Sequence, residues 1–292
     1  MPTPFGHCIH RLAVESDDPD LCRLPVSSVR EFMHKGLITC PPDAPLAKAA
    51  ALLREHLIHG VIVTDEHNHP VGVVSDTDLL AGEWLGGTPE NLAIMRAMTA
   101  GELMTKPVAT IPAATTPAEA AAELRRRHVA RLVVTDGSDP IGVLSVSDLL
   151  AALPRDSTRR DLVRHVMSWG YAACHPNTPI VEAARAMLER NSRSLVVLGR
   201  GGKLAGVVTG FDLLGSLIDA SQRYRVVADY MSPAVTILPE ARLTEAVDLM
   251  LTKEIHRLIV LEPDFPEGPP LGLISTTDIV VEMASPGSAW RL

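Results

Sequence analysis

One seven-residue pattern recurs four times along this 292-residue chain, and nothing else in the sequence restricts the fold so tightly. The copies are Gly72-Val-Val-Ser-Asp-Thr-Asp78, Gly142-Val-Leu-Ser-Val-Ser-Asp148, Gly206-Val-Val-Thr-Gly-Phe-Asp212 and Gly272-Leu-Ile-Ser-Thr-Thr-Asp278. Each is Gly, two apolar residues, Ser or Thr, any two residues, then Asp, and each leads into two more apolar residues such as Leu79-Leu80 or Ile279-Val280. Self-similarity of this kind makes each copy one supersecondary unit that stacks on its neighbours to bury a core.

The surroundings of the motif repeat too. Upstream lie the short apolar runs Val61-Ile-Val63, Leu132-Val-Val134, Leu195-Val-Val197 and Leu258-Ile-Val260, which predict buried strands. Before each run, apolar residues fall at i, i+3 and i+7 on one face of a helix: Leu46, Ala49 and Leu53; Pro117, Ala120 and Leu124; Ile180, Ala183 and Met187; Leu243, Ala246 and Met250. A Pro-containing extended segment precedes each helix, and each unit opens on a short segment ending at Met33, Met104, Met167 or Met231. The expected class is therefore α/β (α+β), with units over 26–84, 99–152, 160–218 and 226–284 and an N-terminal extension over 1–25 that matches no repeat. Linkers are expected near Gly86 to Pro89, Leu153 to Arg160 and Asp219 to Arg225. Three of the turns between the paired strands are short and polar, and the fourth, Glu262 to Pro270, is a longer proline-rich loop expected to protrude.

Composition removes several functions. A net charge of −8 argues against wrapping nucleic acid, which needs clustered Lys and Arg. The cysteines Cys8, Cys22, Cys40 and Cys174 lack metal-site spacing, so neither zinc nor a disulfide framework is expected. No apolar run is long enough to span a bilayer and no signal peptide is evident, so a cytoplasmic protein without membrane contact is expected. Nucleophile elbows, phosphate loops and metalloprotease motifs are missing, and the repeats consume the chain, so no enzyme is expected.

The glycine-led motif, with its upstream helix and strand, resembles the CBS (cystathionine-beta-synthase) domain from about Val26 to Ala284. The resemblance implies four CBS repeats paired into two Bateman modules, an arrangement similar to the gamma subunit of AMP-activated protein kinase. It also implies a regulatory ligand containing adenosine (AMP, ADP, ATP or S-adenosylmethionine) rather than an obligatory cofactor, and a separate protein target that responds to occupancy. Carried over by position, the hydroxyls of Ser75, Ser145, Thr209 and Ser275 would meet phosphate, and Asp78, Asp148, Asp212 and Asp278 the ribose. His59, Arg131, Arg193 and the pair His256-Arg257, just before the second strand, would supply cations to phosphate. Thr115 and Thr178 would lie near adenine. A homodimer formed through apolar helix faces is the expected assembly.

Elementary chemistry gives these positions two readings. A hydroxyl at a strand-to-helix junction sits beside unpaired N–H groups at the positive end of a helix, where phosphate is favoured. A carboxylate one turn on can accept from two sugar hydroxyls, and Arg offers paired donors to phosphate. Ser/Thr-x-x-Asp is equally a capping box that satisfies its own backbone, which would leave an interaction scaffold with non-binding pockets. The basic residues have their own alternative as solvated strand ends or ion-pair partners. His7, Cys8 and His10, and likewise His56 and His59, read as surface or packing residues, and Trp84, Trp169 and Trp290 as helix-end packing or tail residues.

Overall fold

A computed structural model describes residues 28–85, 97–152, 161–218, 225–265 and 268–284, without the side chains of 82–85 and 215–218. The extension over 1–25, the linkers at 86–89 and 153–160, that at 219–225 except Arg225, the Trp84 side chain and Trp290 lie outside the described residues.

Each repeat runs strand, helix, strand, strand, helix. The first contains Thr39–Cys40, Leu46–Glu55, Gly60–Thr64, Pro70–Ser75 and Asp76–Leu85; the second contains Thr110–Pro112, Pro117–Arg127, Arg131–Asp136, Asp139–Ser145 and Val146–Ala152. The third contains Ala173–Cys174, Ile180–Glu189, Ser194–Leu198, Leu204–Thr209 and Gly210–Ile218; the fourth contains Thr236–Ile237, Leu243–Lys253, Arg257–Val260, Gly272–Ser275 and Thr276–Met283. In every repeat the middle strand pairs parallel with the first and antiparallel with the third. The parallel pairing follows from the intervening helix, which is the crossover such strands require.

The helix columns expected from spacing are the core. Ala49, Ala120, Ala183 and Ala246 are all fully buried, with Leu53, Leu124, Met187 and Met250 beside them. Alanine there lets helix and sheet approach closely, and its lack of side-chain entropy also favours the helix. The middle strands are apolar on both faces because both are covered. Val61 and Val63 face their own repeat's helices, while Val196 and Ile259 form a separate cluster that joins the sheets of repeats 3 and 4.

The opening segments do not stay with their own repeats. Val29 and Arg30 donate to the carbonyls of Thr115 and Ala113 in repeat 2, and Ala100 and Gly101 donate to those of Ala44 and Pro42 in repeat 1. Val163 and Arg164 reach Ala241 and Pro239 of repeat 4, while Val227 and Ala228 reach Thr178 and Pro176 of repeat 3. The residues that follow then pair with the glycine strand of the neighbour: His34 with Val143, Thr105 with Val73, Ser168 with Leu273 and Ser232 with Val207. Repeats 1 and 2 are thus interlocked, as are 3 and 4. A β-carbon on Gly142 or Gly272 would overlap the backbone oxygen of His34 or Ser168, which accounts for the glycine that heads the motif.

The two interlocked pairs meet through helices. Leu214 of repeat 3 enters the core of repeat 1, and Leu80 of repeat 1 enters that of repeat 3, packing where a β-carbon on Gly210 would stand 2.6 Å away. Repeats 2 and 4 share one continuous core. Four repeats therefore surround a common centre, with the middle-strand starts directed toward it.

Candidate functional site

The four hydroxyl–carboxylate pairs all form capping boxes. The hydroxyl donates to the Asp Oδ2 at 2.6 Å in Ser75–Asp78, 2.7 Å in Ser145–Asp148, 2.7 Å in Thr209–Asp212 and 2.5 Å in Ser275–Asp278. The same Oδ2 accepts the backbone N–H of the hydroxyl residue, and the Asp N–H donates back to the hydroxyl oxygen at 3.2–3.3 Å. The hydroxyls of Ser75, Ser145, Thr209 and Ser275, expected to meet phosphate, each hydrogen-bond the Asp of their own box in this arrangement.

The box fixes each Asp and directs Oδ1 elsewhere. Asp278 Oδ1 accepts from Ser168 at 3.2 Å, Asp78 Oδ1 lies 3.5 Å from the Thr105 hydroxyl, and Asp148 Oδ1 lies 3.0 Å from His34 Nδ1. These partners come from the swapped opening segments, each immediately after its Met. Sequence reasoning missed them, although a polar residue follows all four methionines: His34, Thr105, Ser168 and Ser232. Beside the fourth box a cavity of about 440 Å³ opens between repeats 3 and 4, lined by Ser168, Tyr171, Ala172, Asn191, Ser192 and Leu273 among others. That volume falls in the range of small-molecule sites. Trp169 adjoins it and is 64% exposed, so it does not pack a helix end as expected from sequence.

The basic residues occupy two alternating columns rather than one. Arg131 and Arg257 begin their middle strands opposite Ser145 and Ser275, where repeats 1 and 3 place Gly60 and Ser194. His59, Arg193 and His256 stand one residue earlier. The alternation of large with small is complementary across each interlocked pair: Arg131 lies against Gly60, and Arg257 donates to the Ser194 hydroxyl.

At the centre these columns meet one carboxylate that the repeat pattern does not contain. Asp76 is the residue after Ser75 and is 6% exposed; its equivalents are Val146, Gly210 and Thr276. His59 Nδ1 lies 2.9 Å from Asp76 Oδ2, His59 Nε2 lies 3.2 Å from His256 Nε2, and His256 Nδ1 lies 3.2 Å from Ser147 Oγ. The two imidazole centroids are 4.9 Å apart, and Phe211 of repeat 3 packs on the His59 ring at 5.0 Å. Burial works to raise the Asp76 carboxyl, but the hydrogen bond and charge of His59, with Arg193 and Arg131, hold it below the usual range.

Carboxylates act on the cations at longer range, Asp76, Asp78 and Asp148 on Arg131 and Asp76, Asp278 and Asp212 on Arg257. Burial lowers the Arg131 and Arg257 guanidiniums to about 10, and Arg193 opposes each. Burial, then His59 and the guanidiniums of Arg257, Arg131 and Arg193, lowers the His256 imidazole to about 4. Among the described residues none of Arg131, Arg193 and Arg257 forms an ion pair. Partly buried guanidiniums without a carboxylate in ion-pair contact suit a multiply charged anion.

Thr115 and Thr178 lie elsewhere. They follow the far ends of their first strands, where their carbonyls accept from Val29 and Val227, and the Thr178 hydroxyl accepts from the His175 N–H at 3.0 Å. The basic centre adjoins the opposite end of the middle strands.

Together these features define a four-repeat α+β protein whose central polar cluster lies between repeats. The CBS domain matches at residues 29–83, 100–155, 163–219 and 227–285, and the chain belongs to the CBS-domain family. CBS domains are in general regulatory modules that bind adenosine ligands, rather than catalysts. An uncharacterized protein of Methanocaldococcus jannaschii is 27% identical over 191 residues, covering 63% of this chain and 43% of its own length. Another, from Methanopyrus kandleri, is 28% identical over 123 residues, covering 41% of this chain and 63% of its own length. The chain thus spans less than two thirds of these relatives.

A solved Methanocaldococcus jannaschii protein, put forward as an archaeal homolog of g-AMPK, superposes with a TM-score of 0.78 at 18% identity, over 88% of this chain and 100% of that one. An uncharacterized Pyrococcus horikoshii protein gives 0.60 at 20% identity, over 87% of this chain and 99% of its own. These likenesses establish the fold. Among the described residues no helix is long and apolar enough to cross a membrane.

Proposed function

We propose that this protein is a regulatory adenine-nucleotide sensor whose phosphate site is the central cluster of Arg131, Arg193, Arg257 and His256. The ribose and base occupy the clefts between interlocked repeats, where the box carboxylates present Oδ1 and where the cavity beside Asp278 opens. The observation behind this reading is the set of three guanidiniums at the centre that form no ion pair among the described residues. Holding such charges away from water is costly, so an anion that neutralises them stabilises the native state. The four repeats contribute jointly to the centre, so occupancy favours one arrangement of the two interlocked pairs, and a protein target responds to that arrangement. Couplings of this kind are typically about 1–3 kcal/mol.

Thermal unfolding in AMP, ADP, ATP and S-adenosylmethionine tests the reading. A ligand at about 100 times its Kd adds about 2.7 kcal/mol to native stability. For a chain of this size that raises Tm by roughly 5–10 °C. An unchanged Tm with all four compounds at millimolar concentration would refute it.

A scaffold reading is favoured by the closed capping boxes. Asp278→Ala separates the two: a sensor loses nucleotide affinity at the fourth cleft, whereas a scaffold loses only helix stability, by about 1 kcal/mol.

A further inference from the structure

Asp76, His59, His256 and Ser147 come from repeats 1, 1, 4 and 2 and form one unbroken chain of contacts. Asp76 also accepts from the Thr77 N–H at 2.9 Å through its other oxygen, so both carboxylate oxygens act as acceptors. The direction of every link is then fixed. With one proton on each ring, His59 Nδ1–H donates to Asp76, leaving Nε2 to accept. His256 Nε2–H must donate to it, and His256 Nδ1 must accept from the Ser147 hydroxyl. All three hydrogen bonds run toward Asp76, and Ser147 has no hydrogen left for another partner.

We infer that this chain is a proton relay that takes up one proton when an anion occupies the central site, coupling nucleotide occupancy to pH. The inference rests on the sensor reading above and specifies how that site is regulated. The balance is simple. The Ser147 hydrogen passes to His256 Nδ1, the His256 Nε2 hydrogen passes to His59 Nε2, and a solvent proton restores the Ser147 hydroxyl. The pair gains one positive charge on His59, against Asp76, and the new Ser147 O–H is free to donate to the anion.

The surrounding charges set when this happens. Arg131 from repeat 2, Arg193 from repeat 3 and Arg257 from repeat 4 face the imidazole pair and oppose an added proton, as the depressed His256 imidazole reflects. Asp76 favours the proton directly, and Asp78, Asp148, Asp212 and Asp278 favour it from the helix starts that flank Arg131 and Arg257. A phosphate group among the three guanidiniums removes the main opposition, so the proton and the anion bind cooperatively.

Calorimetric titration of the full chain with ATP near pH 6, in buffers of different ionisation enthalpy and with the ionisation of the ligand's own phosphate subtracted, measures the proton count. The expected result is net uptake of part of a proton per ATP, larger at lower pH, with affinity rising by less than about tenfold per unit fall in pH. His256→Asn should abolish uptake, and imidazole nitrogen shifts in the unmodified protein should move toward the protonated form as ATP is added. ATP heats that are identical across buffers, uptake that persists in His256→Asn, or imidazole shifts that do not move would each overturn the relay while leaving the sensor intact. A complete lack of heat with ATP, AMP and pyrophosphate would remove the sensor reading and the relay with it.

Discussion

The guanidinium of Arg131 lies across Gly60, close enough that a β-carbon at position 60 would overlap it. The two residues belong to different repeats and begin equivalent strands, so the missing side chain of one makes room for the long side chain of the other. The same complementarity recurs where Arg257 meets Ser194.

Gly60→Ala should therefore displace the tip of a flexible side chain and little else. Stability is expected to change by less than about 1 kcal/mol. Nucleotide affinity should fall about tenfold or more, since a charge-assisted hydrogen bond contributes about 1.5–3 kcal/mol. Calorimetric titration beside a urea melt separates the two effects. A large loss of stability with unchanged affinity would contradict the placement of Arg131 at the phosphate site.

The motif glycines should differ in tolerance. At Gly142 and Gly272 a β-carbon would strike backbone oxygen, which cannot move without breaking the strand pairing that His34 and Ser168 make. At Gly72 it would meet the Met104 side chain, whose tip can rotate away but whose β-carbon, 2.8 Å off, moves only with the backbone. Gly142→Ala and Gly272→Ala should cost more than about 2 kcal/mol, in the range of severe overpacking, and Gly72→Ala somewhat less, because part of its clash is with a movable side-chain tip. Denaturation midpoints of the three variants would rank them.

Stability should fall with acid in a window set by His256. Its imidazole titrates at about 4 in the folded protein against 6.5 ordinarily, so between those values the unfolded chain binds the extra proton. Native stability is full above that window and declines as pH drops through it, by about 2–3 kcal/mol once partial exposure is discounted. Asp76 acts at lower pH, because its carboxyl lies below 3.8 and its contribution is lost only there. Urea melts at about pH 7 and about pH 4.5 should show the decline, and His256→Gln should flatten it.

Much of this molecule was legible from the chain because its signals are local. The alanine columns at Ala49, Ala120, Ala183 and Ala246, the apolar middle strands and the glycine-led motif each lie within one repeat and recur in register. The pairing of Met33 with Gly142, or of Met104 with Gly72, joins residues of different repeats, and no periodicity within one repeat can report such a partner. The centre was the least visible part. Asp76 occurs at its position in one repeat only, Ser147 reaches His256 across 109 residues, and the cation positions blend two columns because Arg193 and Arg131 differ by one residue in strand register. Repetition reveals what the repeats share, whereas the site is made from what they do not.

The exchanged opening segments also govern how this chain can be divided. A fragment holding repeat 1 alone would display a glycine strand with nothing laid along it, and its own opening turn would have no neighbour to dock on. Cutting between repeats 1 and 2 should give two sticky, half-finished pieces, and mixing them should restore order, because each holds the missing part of the other. No piece smaller than a pair holds both an opening segment and the strand it docks on.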